Sequence, residues 1–199
     1  MLIDIDMLIK KYNAKIKGFI HVGGHIGEEI SLYKKYTNNI HMFEPQEECF
    51  DKIDPTVKKY CVALGETEGQ MNFYIANNKQ SSSLLEPKDH LKKHPEVKFL
   101  GEKQVIVKKL DSYEISDCNF LNMDTQGFEL EVLKGSKKTL EYIDYIYTEV
   151  NTSEIYKNCA FLEDLDSFLL DFTRVETKMY GDSGWGDAFY IRKTLSHGE

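Results

Sequence analysis

Dense apolar runs and stretches of helical apolar spacing take turns along this chain, with glycine or proline marking most of the changes. Phe19-Ile20-His21-Val22 is one such run, and it ends abruptly in Gly23-Gly24-His25-Ile26-Gly27. Directly afterwards, Glu28 to Tyr36 places Ile30, Leu32, Tyr33 and Tyr36 on one helical face. Ile40 to Glu44 predicts a second strand, Glu47 to Ile53 a helix stopped near Pro55, and Lys59 to Gly65 a third strand. Upstream, Ile5 to Tyr12 predicts a short amphipathic helix, so residues 1–17 lead into the first strand. Gln70 to Ala76 and Gln104 to Leu110 alternate polar and apolar, as a pair of antiparallel or edge strands should. Between them lie a polar loop with Ser81-Ser82-Ser83 and a charged, weakly patterned segment, 86–104, that reads as a mobile lid or excursion.

The second half repeats the first rhythm. Asn119 to Asp124 predicts a fourth main strand, and Glu129 to Leu140 a helix with Leu130, Val132, Leu133 and Leu140 inward. Tyr145 to Val150 follows as a fifth strand, then a helix over Leu162 to Asp171, then closing strands at Thr173–Lys178 and Ala188–Arg192. Strands alternating with helices predict an α/β fold. It has a mostly parallel central sheet with helices on both faces and an antiparallel C-terminal strand. With 199 residues, short links and no internal repeat, one domain over 1–199 is expected.

A formal net charge of −8 argues against nucleic acid as the main partner, which would need a positive field. Cys49, Cys61, Cys118 and Cys159 are widely spaced and form no C-x-x-C pair, so neither a zinc site nor a disulfide framework is predicted. The N-terminal stretch mixes acids and lysines through its apolar residues, and no run approaches a membrane span. A cytoplasmic address is expected.

The chemistry sits where strands end. Gly23-x-x-x-Gly27 matches neither the G-x-G-x-x-G of a dinucleotide site nor a P-loop, because no Gly-Lys-Ser/Thr follows. Glu44 closes the second strand at about the 20-residue distance where an acid reaches a pair of ribose hydroxyls. Strand, glycine turn, helix, strand and acid make a nucleoside-binding half, and the missing phosphate signatures favour an adenosyl ligand without a pyrophosphate. His21, Gly23, Gly24, Glu44, Ala63, Leu64 and Asp124 all fall at strand ends, the side on which open α/β sheets bind ligands. Glu149 ends the next strand in the same way.

These residues resemble the FkbM-type methyltransferases. The likeness runs through Val22-Gly23-Gly24-His25-Ile26-Gly27-Glu28, Phe43-Glu44-Pro45, Ser81-Ser82-Ser83-Leu84 and Leu110-Asp111. It continues in Asn122-Met123-Asp124-Thr125-Gln126-Gly127-Phe128-Glu129, Glu149-Val150-Asn151 and Trp185-Gly186-Asp187-Ala188-Phe189-Tyr190. The resemblance implies a Rossmann-like fold that binds S-adenosyl-L-methionine and methylates a hydroxyl, usually of a sugar, glycan or natural product. His21 stands where the family usually has Asp, and Gln126 where it usually has Glu. A hydroxyl acceptor must lose a proton, which suits a carboxylate or histidine. The candidates are Asp124, Glu149, Asp187 and His25, with Asp124 equally suited to holding the cofactor's amino group. Ser82 is a candidate cofactor contact, and Tyr156, Asn158 and Trp185 are candidate acceptor contacts. Asp124, Glu149 and Asp187 show no convergence in sequence, so no metal is expected. A nicotinamide-dependent oxidoreductase and a non-catalytic nucleoside-binding module share the strand–turn–acid pattern. The first lacks the third glycine of a pyrophosphate site and a Tyr-x-x-x-Lys pair.

Overall fold

The computed structural model describes residues 1–195, and for Leu91 the backbone alone. Helix α1 (Ile5–Lys11) starts on Asp4, whose carboxylate accepts from the Asp6 and Met7 amides, and ends with Lys10 and Lys11 in its last turn. Strand β1 (Phe19–Val22) follows, then α2 (Ile30–Tyr33), β2 (Ile40–Phe43), α3 (Glu47–Phe50) and β3 (Lys58–Tyr60). Both helices are shorter than the apolar spacing predicts, because i→i−3 bonds such as Lys35 N–H to Leu32 O and Lys52 N–H to Cys49 O replace the α pattern. The expected third strand splits in two. Its first part, β3, pairs with β2, whereas β4 (Ala63–Leu64) leaves that sheet to pair with another strand.

That other strand is β6 (Phe99–Lys108), which also pairs antiparallel with β5 (Gly69–Ala76). The small sheet, ordered β4-β6-β5, buries Phe73, Val105 and Val107 against Leu84 and Phe128. The 86–104 segment is not a loose excursion. It contains α4 (His90–Lys93) and the first half of β6, and the amides of Lys88 and His90 both donate to the Ile155 carbonyl. Apolar patterning missed it because its anchors are backbone hydrogen bonds.

β7 (Phe120–Met123) leads to α5 (Glu129–Lys134), β8 (Tyr145–Asn151), α6 (Leu162–Phe168), β9 (Phe172–Met179) and β10 (Trp185–Arg192). The predicted helix to Leu140 stops at Gly135, where the backbone passes so close to the Gly65 carbonyl that an added Cβ would sit 2.1 Å from its oxygen. A separate turn of 3₁₀ helix, Thr139–Tyr142, starts from the Asp111 carboxylate, which accepts from the Thr139 amide and hydroxyl.

The main sheet is ordered β3-β2-β1-β7-β8-β10-β9, parallel except for β10, which runs antiparallel to both its neighbours. Its central strands β1, β2, β7 and β8 are covered on both faces. Ile20, Val22, Leu121 and Met123 face Val132, Leu133 and Leu165, while Phe19, Met42, Phe120 and Phe189 face Ile5, Leu8 and Tyr33. Each fully covered side chain of this kind contributes roughly 1.5–3 kcal/mol of transfer free energy. The order reverses between β1 and β7, and the strand ends at that switch point are where such a sheet opens a crevice.

Candidate functional site

The crevice is present. A cleft of about 420 Å³ opens over the ends of β1, β2, β7 and β8, walled on one side by the small sheet and by α4. Its floor begins with the turn after β1. The amides of Gly23 and Gly24 both donate to the Phe43 carbonyl, which ties this turn to the end of β2. Gly23 has φ +81°, and a Cβ there would lie 1.9 Å from the Asp124 carbonyl oxygen, so the tips of β1 and β7 touch only because the residue is glycine.

Glu44 lies against this turn. One carboxylate oxygen accepts from the His25 amide at 2.9 Å, and the other accepts from the Gln46 amide at 2.8 Å and the Gln46 side-chain amide at 3.2 Å. Burial raises its pKa against the pull of those donors. Part of the carboxylate's capacity therefore goes into holding the turn, and its lone pairs are not all free for a ribose. Ser82 accepts from the Ala76 amide and donates to Gln46, so it fixes the residue that fixes Glu44.

His21 faces the cleft but is fully engaged. Asn122 donates to Nε2 at 3.2 Å, leaving Nδ1–H to donate to the Tyr33 hydroxyl at 3.2 Å. Burial holds the ring neutral, with its pKa lowered to about 4.

At the ends of β7 and β8, Gln126 joins two acids. Its side-chain amide donates to Asp124 Oδ1 at 2.7 Å and to Glu149 Oε2 at 2.6 Å. Its own oxygen accepts from the Tyr156 hydroxyl at 2.9 Å, and its φ of +57° turns the side chain inward. Glu149 is buried, and burial together with the nearby Asp124 and Glu129 raises its pKa well above the ordinary carboxylate value. Glu129, a residue that strand-end reasoning passed over, is buried at the start of α5 and accepts from the Thr125 amide and hydroxyl and the Gly127 amide. Burial raises its pKa as well.

Of the residues singled out in the sequence, His21, Gly23, Gly24, His25, Glu44, Ala63, Leu64, Ser82, Asp124, Glu149, Trp185 and Asp187 all line this one cleft. Two do not. Tyr156 is fully covered and offers no face for stacking, because its hydroxyl is drawn in between the Ser81 carbonyl and Gln126. Asn158 is exposed in a left-handed turn outside the cleft, where its amide caps back onto Glu154. Trp185 opens β10 opposite Asn151 and stacks on Tyr180 with ring centroids 5.0 Å apart. The Leu2 and Ile3 amides and the Tyr147 hydroxyl all donate to Oδ2 of Asp187, which ties that oxygen to the N-terminal segment. His25 sits at the rim, 2.8 Å from Glu28. His90 and His94 also line the cleft, and sequence reasoning missed them because they lie in the segment read as a lid.

A sheet with this strand order and a cleft at its switch point defines a Rossmann-like methyltransferase fold. Two solved structures share it. Methyltransferase FkbM from Methylobacillus flagellatus superposes with a TM-score of 0.58 at 15% identity, covering 89% of this chain and 44% of that one. A TehB-like S-adenosylmethionine-dependent methyltransferase from Corynebacterium glutamicum gives 0.53 at 10% identity, covering 96% and 89%. The family model of the methyltransferase FkbM domain matches residues 21–176, and the chain belongs to that family. It is also 30% identical over 149 residues to 2-O-methyltransferase NoeI of Sinorhizobium fredii, an alignment covering 64% of this chain. The match spans 61% of that relative's length.

Proposed function

We propose that the protein transfers a methyl group from S-adenosylmethionine to a hydroxyl of a small-molecule or glycan acceptor. The observation that carries this is the junction of the Gly23-Gly24 turn with Glu44 at the floor of the cleft, through the His25 amide. That junction fits an adenosyl ligand. Glycine backbone approaches it closely, and a carboxylate on a rigid strand end stands beside it with lone-pair capacity left for a ribose. The charge of the cleft agrees. Glu28, Asp124 and Asp187 line it, and Lys79 is the one lysine or arginine among the described residues that do. A ligand with a sulfonium and an ammonium suits that field, whereas a pyrophosphate would be repelled.

S-adenosylmethionine supplies an activated methyl on a positively charged sulfur, so the protein's tasks are to bind, align and exclude water. The Gly23-Gly24 turn gives the nucleoside end a close backbone approach, Glu44 offers it a carboxylate, and Asp124 holds the cationic amino-acid end. Glu149, buried and bonded to Gln126, braces Asp124. α4 and Trp185 wall the acceptor side. The name of the 2-O-methyltransferase relative supports a hydroxyl acceptor. No helix among the described residues is long and apolar enough to cross a membrane, and all four cysteines are free, which fits the cytoplasmic address expected from the sequence.

Calorimetry with S-adenosylmethionine, S-adenosylhomocysteine and NAD tests the ligand, and labelled methyl incorporation into glycan and small-molecule extracts tests the reaction. Binding of NAD in preference to both adenosyl ligands would overturn the proposal.

A further inference from the structure

His90 is a buried histidine whose Nδ1 finds no hydrogen-bond partner among the described residues. It is 4% exposed and lines the cleft from α4, yet Nδ1 is sealed from solvent without a hydrogen-bond partner. Among the described residues no group bonds Nε2 either, which leaves it as the ring nitrogen open to a ligand. Around the ring are Tyr156 at 5.3 Å, His94 at 4.9 Å and Phe99 edge-on at 5.7 Å between centroids. A buried polar group left unpaired costs about 1–3 kcal/mol, and a phenylalanine would fill this aromatic nest without that cost. Buried polar groups kept without a partner are the exceptions that call for an explanation, and a ligand supplies one.

The backbone holds the ring where it is. The His90 amide donates to the Ile155 carbonyl at 3.1 Å, and Pro87 and Tyr156 form an isolated β-bridge. Tyr156 in turn bonds Gln126, which bonds Asp124 and Glu149. His90 is thus coupled to the far wall of the site through one ring and one amide.

We propose that His90 receives the acceptor hydroxyl of a pyranose sugar on Nε2 and takes its proton during methyl transfer. This assignment rests on the function proposed above. The hydroxyl oxygen forms a bond to the methyl carbon as the carbon–sulfur bond breaks, and that electron pair stays on sulfur. The proton leaves the new ether oxygen for Nε2, so one positive charge passes from sulfonium to imidazolium. The oxygen grows acidic as it bonds to carbon, so a weak base suffices. Burial and the neighbouring His94 lower the pKa of His90 to about 4, against an opposing pull from Glu96, so its lone pair is available at neutral pH. Trp185 lines the same cleft, and an indole ring suits the C–H side of a sugar.

The test compares wild type with His90→Phe and His90→Ala, using S-adenosylhomocysteine and a panel of methyl pyranosides. Wild type is expected to methylate at least one pyranoside and to bind it in the presence of S-adenosylhomocysteine. Both variants should bind S-adenosylhomocysteine within twofold of wild type by calorimetry, which reports an intact fold. Loss of about 10²–10⁴-fold in methyl transfer is expected from either, with partial rescue of His90→Ala by added imidazole. Either variant within threefold of wild type, or loss of S-adenosylhomocysteine binding with no imidazole rescue, overturns the role of His90 and leaves the methyltransferase reading standing. Wild type that binds S-adenosylhomocysteine but methylates no pyranoside overturns the sugar assignment and this role together. Wild type that binds neither adenosyl ligand overturns the underlying function.

Discussion

Gly23→Ala is the sharpest probe of how this site is built. At φ +81° an alanine enters the left-handed region, at a cost of roughly 1–2 kcal/mol. Its Cβ would also lie 1.9 Å from the Asp124 carbonyl oxygen, which is backbone and cannot rotate away. The tips of β1 and β7 must separate, and forced rearrangement of that kind adds about 1–3 kcal/mol. Together the loss is about 2–5 kcal/mol, and a chain of this size loses about 2–4 °C of Tm per kcal/mol. Gly24→Ala is the matched control. Its added Cβ meets the end of the Met42 side chain at 2.5 Å, a group that can shift, so the expected cost is within about 1.5 kcal/mol. Urea unfolding gives both stabilities, and calorimetry with S-adenosylhomocysteine reports whether the separated strand tips still bind. Equal stabilities for the two variants would refute the claim that the β1–β7 contact depends on a missing Cβ.

Further expectations follow from the same geometry. Glu44→Ala strips the His25 and Gln46 amides of their acceptor as well as removing the ribose partner. Losing a charged hydrogen bond costs about 1.5–3 kcal/mol, so S-adenosylhomocysteine affinity should fall roughly tenfold to a hundredfold, and undiminished binding would contradict the assignment. Gln126→Glu removes both donors between Asp124 and Glu149 and adds a third buried carboxyl, whose pKa must rise. That variant should be relatively more stable at pH 5 than at pH 8, and parallel pH–stability curves for variant and wild type would count against the bridge. His21 has a folded pKa near 4 against the ordinary 6.5, so its contribution is whole above pH 6.5 and is lost as the pH falls toward 4. At about 1.36 kcal/mol per unit the loss is roughly 3 kcal/mol, and a His21→Asn variant should show a correspondingly flatter acid limb in denaturant titrations across pH 4–7. Identical limbs would mean that His21 is not held neutral by burial.

Much of the main sheet was legible in the order of residues. Phe19-Ile20-His21-Val22 and Phe120-Leu121-Asn122-Met123 are apolar on both faces because both faces are covered, and a run bounded by glycine or acid marks such a strand. Glu44 and Asp124 could be singled out for the same reason, since a polar side chain at the end of a buried strand has few structural uses. Helix lengths were less legible. Apolar spacing does not distinguish α from 3₁₀ bonding, and it does not register that Gly135 must pass against Gly65.

What the sequence determined by itself was the end of the sheet at which the cleft opens, because local apolar runs and glycine turns encode strand ends directly. Tertiary structure decided which side chains remain free to act. Asp187 has one carboxylate oxygen, Oδ2, taken by donors from residues 2, 3 and 147, whereas His90 lies in a charged, unpatterned segment and its Nδ1 meets no partner among the described residues. Whether a polar group is spent or available depends on partners far away along the chain, and a linear pattern carries no record of those distances.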